Sequence, residues 1–122
     1  VEPSAAYYAA LRASQEEIRT IDDLRAKIEE QVAHGQNPLK TEQDFHNAIA
    51  LASHNQFMTK LMPIISKAIY TDITYFEESI TYSLQDHREI VRFIQAGNAK
   101  AARSSMELHI FHAYQISNLR VD

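Results

Sequence analysis

Three histidines and one glutamate in this sequence stand where helical spacing could gather them: Glu42, His46, His87 and His109. Glu42 lies four residues before His46, so a carboxylate and an imidazole leave the same side of one helix. His87 shares a helical face with Ile90, Val91 and Ile94. His109 continues a stripe made by Ala102, Met106, Ala113 and Ile116, and His46 follows Phe45 at the margin of an apolar face that includes Ile49. A carboxylate with three neutral imidazoles is a good donor set for Zn²⁺, Ni²⁺ or another divalent first-row ion. Helical bundles build metal sites from donors on facing helices. Histidines on apolar faces also occur as hydrogen-bonded core residues. Periodicity alone leaves both readings open.

The remaining histidines read differently. His34 adjoins a helix-ending glycine and reads as a partner of the helix C-terminus or a solvated side chain. His54 precedes Asn55 at a helix junction and reads as a surface or capping residue. His112 follows His109 by three positions and could line the same cavity, although an ordinary packing role is the simpler reading. Asp44 and Asp86 neighbour the candidate ligands but project about 100–200° away around their helices, which predicts solvated side chains. The tyrosines Tyr7, Tyr8, Tyr70, Tyr75, Tyr82 and Tyr114 read as core or rim packing.

Signatures of catalysis are missing. The sequence has no His-Glu-x-x-His motif, no phosphate-cradling glycine loop, no Gly-x-Ser-x-Gly elbow and no paired Glu-x-x-His. A metal-dependent hydrolase using the same four residues is a rival reading, but no separate general base stands out. A second rival is a metal-free helical dimerisation module in which the histidines only pack.

The elements that must carry these residues are helical. Only 2 glycines and 3 prolines occur in 122 residues, and good helix formers are plentiful. Pro3 suits the first turn of a helix reaching about Arg12. Ser14 and Glu17 form a capping box for a helix whose inner stripe is Ile18, Ile21, Leu24, Ile28 and Val32. His34-Gly35 ends it, and Gln36-Asn37-Pro38 reads as a loop. Thr41 is the expected cap of the third helix, with Asp44 in a weaker box role and Phe45, Ala48, Ile49 and Ala52 facing inward. From Gln56 to about Ile80 the pattern Phe57, Leu61, Ile64/Ile65, Ala68/Ile69, Ile73, Phe76 and Ile80 keeps helical period. Pro63 predicts a kink or break near Leu61–Met62. Ser83 is the expected cap of the fifth helix, Gly97 its end, and Asn98 the opening of the last. Together these give an all-α, antiparallel helical bundle of about six helices in one domain.

Composition bounds the function. The net charge of −4 is spread along the chain, and without a basic face this segment is not expected to grip DNA itself. The absence of cysteine excludes disulfides and thiolate metal sites. No apolar run approaches the roughly 18–20 residues of a membrane span, so the reading is a cytoplasmic protein. Val1 rather than Met opens the chain, which predicts a processed chain or a piece of a longer one.

The spacing resembles the FadR-type C-terminal (FCD) effector-binding domain of GntR-family transcriptional regulators, over nearly the whole chain. Val1-Glu2-Pro3-Ser4-Ala5-Ala6, then Ala9-Ala10 and Arg12-Ala13-Ser14, is similar to the family's Glu-Pro-x-Ala-Ala opening. Phe45-His46-Asn47-Ala48-Ile49 followed by Ala52-Ser53-His54-Asn55 resembles its Phe-His segment. Asp86-His87-Arg88-Glu89-Ile90, the turn Ile94-Gln95-Ala96-Gly97-Asn98-Ala99-Lys100-Ala101-Ala102, and Met106-Glu107-Leu108-His109-Ile110 complete the order. The resemblance implies a divalent metal, Zn or Ni, held inside the bundle by Glu42, His46, His87 and His109. It also implies a small carboxylate effector completing the coordination, a homodimer, and DNA contact through an N-terminal winged helix-turn-helix domain outside this chain. The family's usual acidic ligand is Asp, whereas position 42 is Glu, one methylene longer. Asp86 and Asn98 stand where the family usually has Glu and an acid. The family's leading helix, which often supplies an Arg to the effector, precedes the Glu-Pro motif; Lys60 and Lys67 are the only cations in the middle helix.

Overall fold

A computed structural model of the chain describes the backbone at residues 1–70 and 73–121, and the side chains at 1–70, 80 and 82–113. Among the described residues there are six helices and no strand: α1 (Glu2–Arg12), α2 (Gln15–Ala33), α3 (Leu39–Ala52), α4 (Gln56–Ile69), α5 (Ile73–Gln95) and α6 (Ala99–Val121). No described helix is long and apolar enough to cross a membrane.

Local chemistry sets most of the boundaries. Ser14 Oγ accepts from Glu17 N while Glu17 Oε1 accepts from Ser14 N, so the expected capping box starts α2. Gly35 and Gly97 both adopt left-handed φ, at 68° and 69°, the turn that L side chains resist. After Gly97, Asn98 Oδ1 accepts from Ala101 N and opens α6 as expected.

Several expectations need correction. Thr41 does not cap α3: Asn37 Oδ1 takes the Leu39 amide, the helix starts two residues earlier, and Thr41 is turned inward. Asp44 pairs with Lys40 instead of boxing the cap. Of the kink or break expected near Leu61–Met62, the break is absent: α4 runs through Pro63 to Ile69, and the proline sits on the exposed side, where the carbonyl that loses its amide partner faces no dry interior. Ser83 does not open α5, which begins ten residues earlier, with no breaker between them. The expected α4 stripe also turns over. Phe57 and Ile64 are exposed, and Met62 and Ser66 are the buried positions, since α4 packs principally on α3 and buries only a narrow strip. Of the C-terminal stripe, Ile116 lies outside the described side chains, as do Tyr75 and Tyr114.

The core runs through α1, α2, α3, α5 and α6. Ala5, Ala6 and Ala9 on α1 are small enough to bring that helix close to α6, α3 and α5. Ile21 and Ile28 of α2, Phe45 and Ile49 of α3, Ile90 and Ile94 of α5, and Met106 of α6 fill the interior, with Ile18, Leu24 and Val32 packed at its edge. This arrangement turns one face of α3, α5 and α6 toward a common centre, and those faces carry the four candidate donors.

Candidate metal centre

Glu42 and His46 come from α3, His87 from α5 and His109 from α6, and all four are at most 3% exposed. One ligand atom from each lies within 4.8 Å of the others. The histidine rings gather closely, with centroids 5.0 Å apart for His87 and His109 and 5.4 Å for the parallel pair His46 and His109. Phe45 wedges against His87, its centroid 4.6 Å away, and Tyr70 stacks on the outer face of His46 at 4.4 Å. Gln43 Nε2 donates to the Tyr70 carbonyl and ties that residue to α3. Packing therefore holds the ring planes from several sides.

Polar accounting shows what these groups lack. His46 Nε2 lies 3.2 Å from Glu42 Oε1, and His87 Nε2 lies 2.8 Å from the same oxygen. The His87 contact is not an aligned hydrogen bond: both ring nitrogens of His87, Glu42 Oε2 and His109 Nε2 are buried without a hydrogen-bond partner. Orphaned buried polar atoms are costly and rare. Here they belong to residues that each bring one ligand atom within 4.8 Å of the others, the donor grouping that a cation site needs.

Two further acids stand behind the imidazoles. Glu2, at the start of α1, places Oε1 2.6 Å from His46 Nδ1, a close contact off the hydrogen-bond direction. Asp86 Oδ2 accepts hydrogen bonds from His109 Nδ1 at 3.0 Å and His112 Nδ1 at 2.8 Å. The expectation that Asp86 is solvated is therefore wrong: it is 7% exposed. Helix α5 is packed by α6, α2 and α1, so its flank beside His87 faces protein rather than water. His112 joins the same network instead of packing inertly. Sequence reasoning missed Glu2 and Asp86; the signal present was an acid one residue before a helical histidine and an acid opening the first helix.

These contacts set the charges. Burial alone would raise Glu42, but His87 and His46 hold its carboxyl well below the usual range. Burial alone would lower His46, yet Glu2 and Glu42 on either side push it up to about 10. Burial lowers His109, reinforced by the positive charge of His87 and His46, against the pull of Asp86. Burial would raise Asp86, but hydrogen bonds from His109 and His112 lower it. The two carboxylates that flank His46 thus hold its imidazole toward the protonated form.

The other histidines behave as surface groups. His34 sits at the end of α2 with Nδ1 2.8 Å from the Glu30 carbonyl oxygen. His54 is exposed, with Nε2 2.8 Å from Glu17 Oε1. Lys60 and Lys67 lie on the exposed side of α4.

A family model described as "FCD domain" matches residues 1–112. The chain belongs to the FCD domain family. This FCD domain is similar to the Uxu operon regulator of Haemophilus influenzae, at 26% identity over 118 residues, covering 90% of this chain and 44% of that protein. It is also similar in structure to Streptococcus agalactiae GntR, with a TM-score of 0.83 and 30% identity, over 94% of this chain and 53% of that one. The FCD domain thus spans about half the length of the regulators it matches. Their agreement with the six-helix architecture supports the fold expected from periodicity, and the family match agrees with the resemblance read from the motifs.

Proposed function

We propose that this FCD domain is the metal- and effector-binding, C-terminal part of a GntR-family transcription regulator, not an enzyme. Glu42, His46, His87 and His109 would hold a divalent ion, Zn²⁺ or Ni²⁺ by the chemistry of a three-nitrogen, one-oxygen donor set. The observation that carries this reading is the convergence of four buried donors, several with no other partner. When bound, the ion supplies positive charge and open coordination positions that suit a small carboxylate effector.

The chain's own residues do the rest. His46, His87 and His109 each come from a different helix, so filling the centre fixes α3, α5 and α6 relative to one another. Phe45 and Tyr70 keep their rings from turning away. An effector preferring one arrangement of these helices shifts a homodimer between two states. A coupling of about 1–3 kcal/mol then changes the affinity of an attached N-terminal winged helix-turn-helix domain for DNA by 5–150-fold. A cytoplasmic location follows from that role.

Calorimetric titration of small dicarboxylates and hydroxy acids into Zn²⁺-loaded and metal-free protein tests this proposal. Binding of at least one acid only to the loaded form is expected. Equal binding to both forms, or a protein that takes up neither Zn²⁺ nor Ni²⁺, contradicts it.

A further inference from the structure

Asp86 is the one described acid that reaches a candidate ligand through aligned hydrogen bonds without itself being a candidate ligand. Its Oδ2 receives His109 Nδ1 from one side and His112 Nδ1 from the other. A neutral imidazole has one proton and two nitrogens, and the partner of one nitrogen decides which carries it. An ionised carboxylate can only accept, so it draws the proton to Nδ1. His109 Nε2 then keeps its lone pair; this nitrogen is buried with no hydrogen-bond partner of its own, on a ring that belongs to the four-donor group.

We propose that Asp86 is a positioning residue for metal binding: it fixes His109 as the Nδ1–H tautomer and holds the ring plane so that Nε2 points into the centre. The inference rests on the metal-site reading above. His112 supplies the second donor that keeps the carboxylate spanning α5 and α6, and its own ring is held by stacking on Tyr82 at 4.6 Å. His87 provides the internal contrast, since its Nδ1 has no partner and no carboxylate stands behind it as Asp86 stands behind His109. Hydrogen bonds of this kind to metal-binding histidines typically contribute 10–100-fold in affinity.

Asp86→Asn tests the idea, because an amide keeps the shape of the side chain but can donate to Nδ1 and so leave the proton on Nε2. Two quantities are read on the full 122-residue chain: the His109 tautomer in metal-free protein, by long-range ¹H–¹⁵N correlation, and Zn²⁺ affinity by chelator competition. The parent is expected to show Nδ1–H at His109. Asp86→Asn is expected to shift it toward Nε2–H and weaken Zn²⁺ binding about 10–100-fold, and Asp86→Glu, which retains a carboxylate, to restore part of both. An Asp86→Asn protein with unchanged helical circular dichroism, unchanged tautomer and unchanged Zn²⁺ affinity overturns the proposal. If the parent takes up no metal, the proposed function fails, but the tautomer still decides this inference: Nε2–H at His109 in the parent sinks it. Should Asp86→Asn not fold, the parent tautomer and Asp86→Glu decide the outcome.

Discussion

Replacing Glu42 by glutamine in the metal-free protein removes one charge from a buried cluster while keeping the shape of the side chain. Glu42 is 1% exposed, and its Oε1 lies 3.2 Å from His46 Nε2 and 2.8 Å from His87 Nε2. Removing one partner of such a buried pair costs about 3–5 kcal/mol, a large share of the roughly 5–15 kcal/mol that holds a domain folded. The pH dependence follows from His46. Burial works to lower its pKa, but Glu2 and Glu42 raise it from the ordinary 6.5 to about 10. A raised folded-state value contributes stability that is fully present below 6.5 and lost as pH rises through about 10. Glu42→Gln removes part of that contribution, so its cost is greatest near the acid end of this window and shrinks toward the alkaline end. Urea denaturation of chelator-treated parent and variant, followed by far-ultraviolet circular dichroism at both ends of the window, measures it. A cost below about 1 kcal/mol at the acid end, well short of a broken buried pair, or the same cost at both ends, refutes the reasoning.

Three further outcomes follow from the same geometry. Ser14→Ala removes the Oγ that accepts from Glu17 N, while the residue-14 amide can still donate to Glu17 Oε1; it is expected to lower stability by about 1 kcal/mol in denaturant titration, and no loss would show that this half of the box is idle. Gly97→Ala adds a Cβ whose nearest neighbour is the Ala10 carbonyl oxygen at 3.8 Å, so only the left-handed φ of 69° resists it. The expected cost is about 1–2 kcal/mol, and a stabilised variant would contradict the turn geometry. Zn²⁺ at about 100 times its dissociation constant should add about 2.7 kcal/mol and raise the melting temperature on the order of 10 °C. The same addition should do nothing for His109→Ala, and an equal rise in that variant would remove His109 from the centre.

Much of this architecture was legible because it is written in local chemistry. Ser14 with Glu17, Gly35, Gly97 and Asn98 act through bonds a few residues long, and the structure keeps them where spacing put them. The inward faces of His46, His87 and His109 followed from helical period alone. Whether those faces meet depends on how three helices pack, which periodicity does not contain. Asp86 shows the same limit: its angle around α5 was right, but its burial depends on α6 lying against that flank. The cap at Thr41 and the break at Pro63 failed for a different reason. Each signal was real, but Asn37 Oδ1 took the Leu39 amide and α3 began earlier, and the exposed side of α4 tolerated the proline. Glu2 was hidden because its partner, His46, lies on another helix far along the chain.

The central claim is that the buried cluster is a metal centre. Elemental mass spectrometry of protein purified without a chelating column, with His87→Ala as control, tests it most directly. Near-stoichiometric Zn or Ni in the parent, absent from the variant, is the result this account predicts. A parent that stays metal-free even after incubation with Zn²⁺ and Ni²⁺, or a variant that retains the parent's metal, would contradict it.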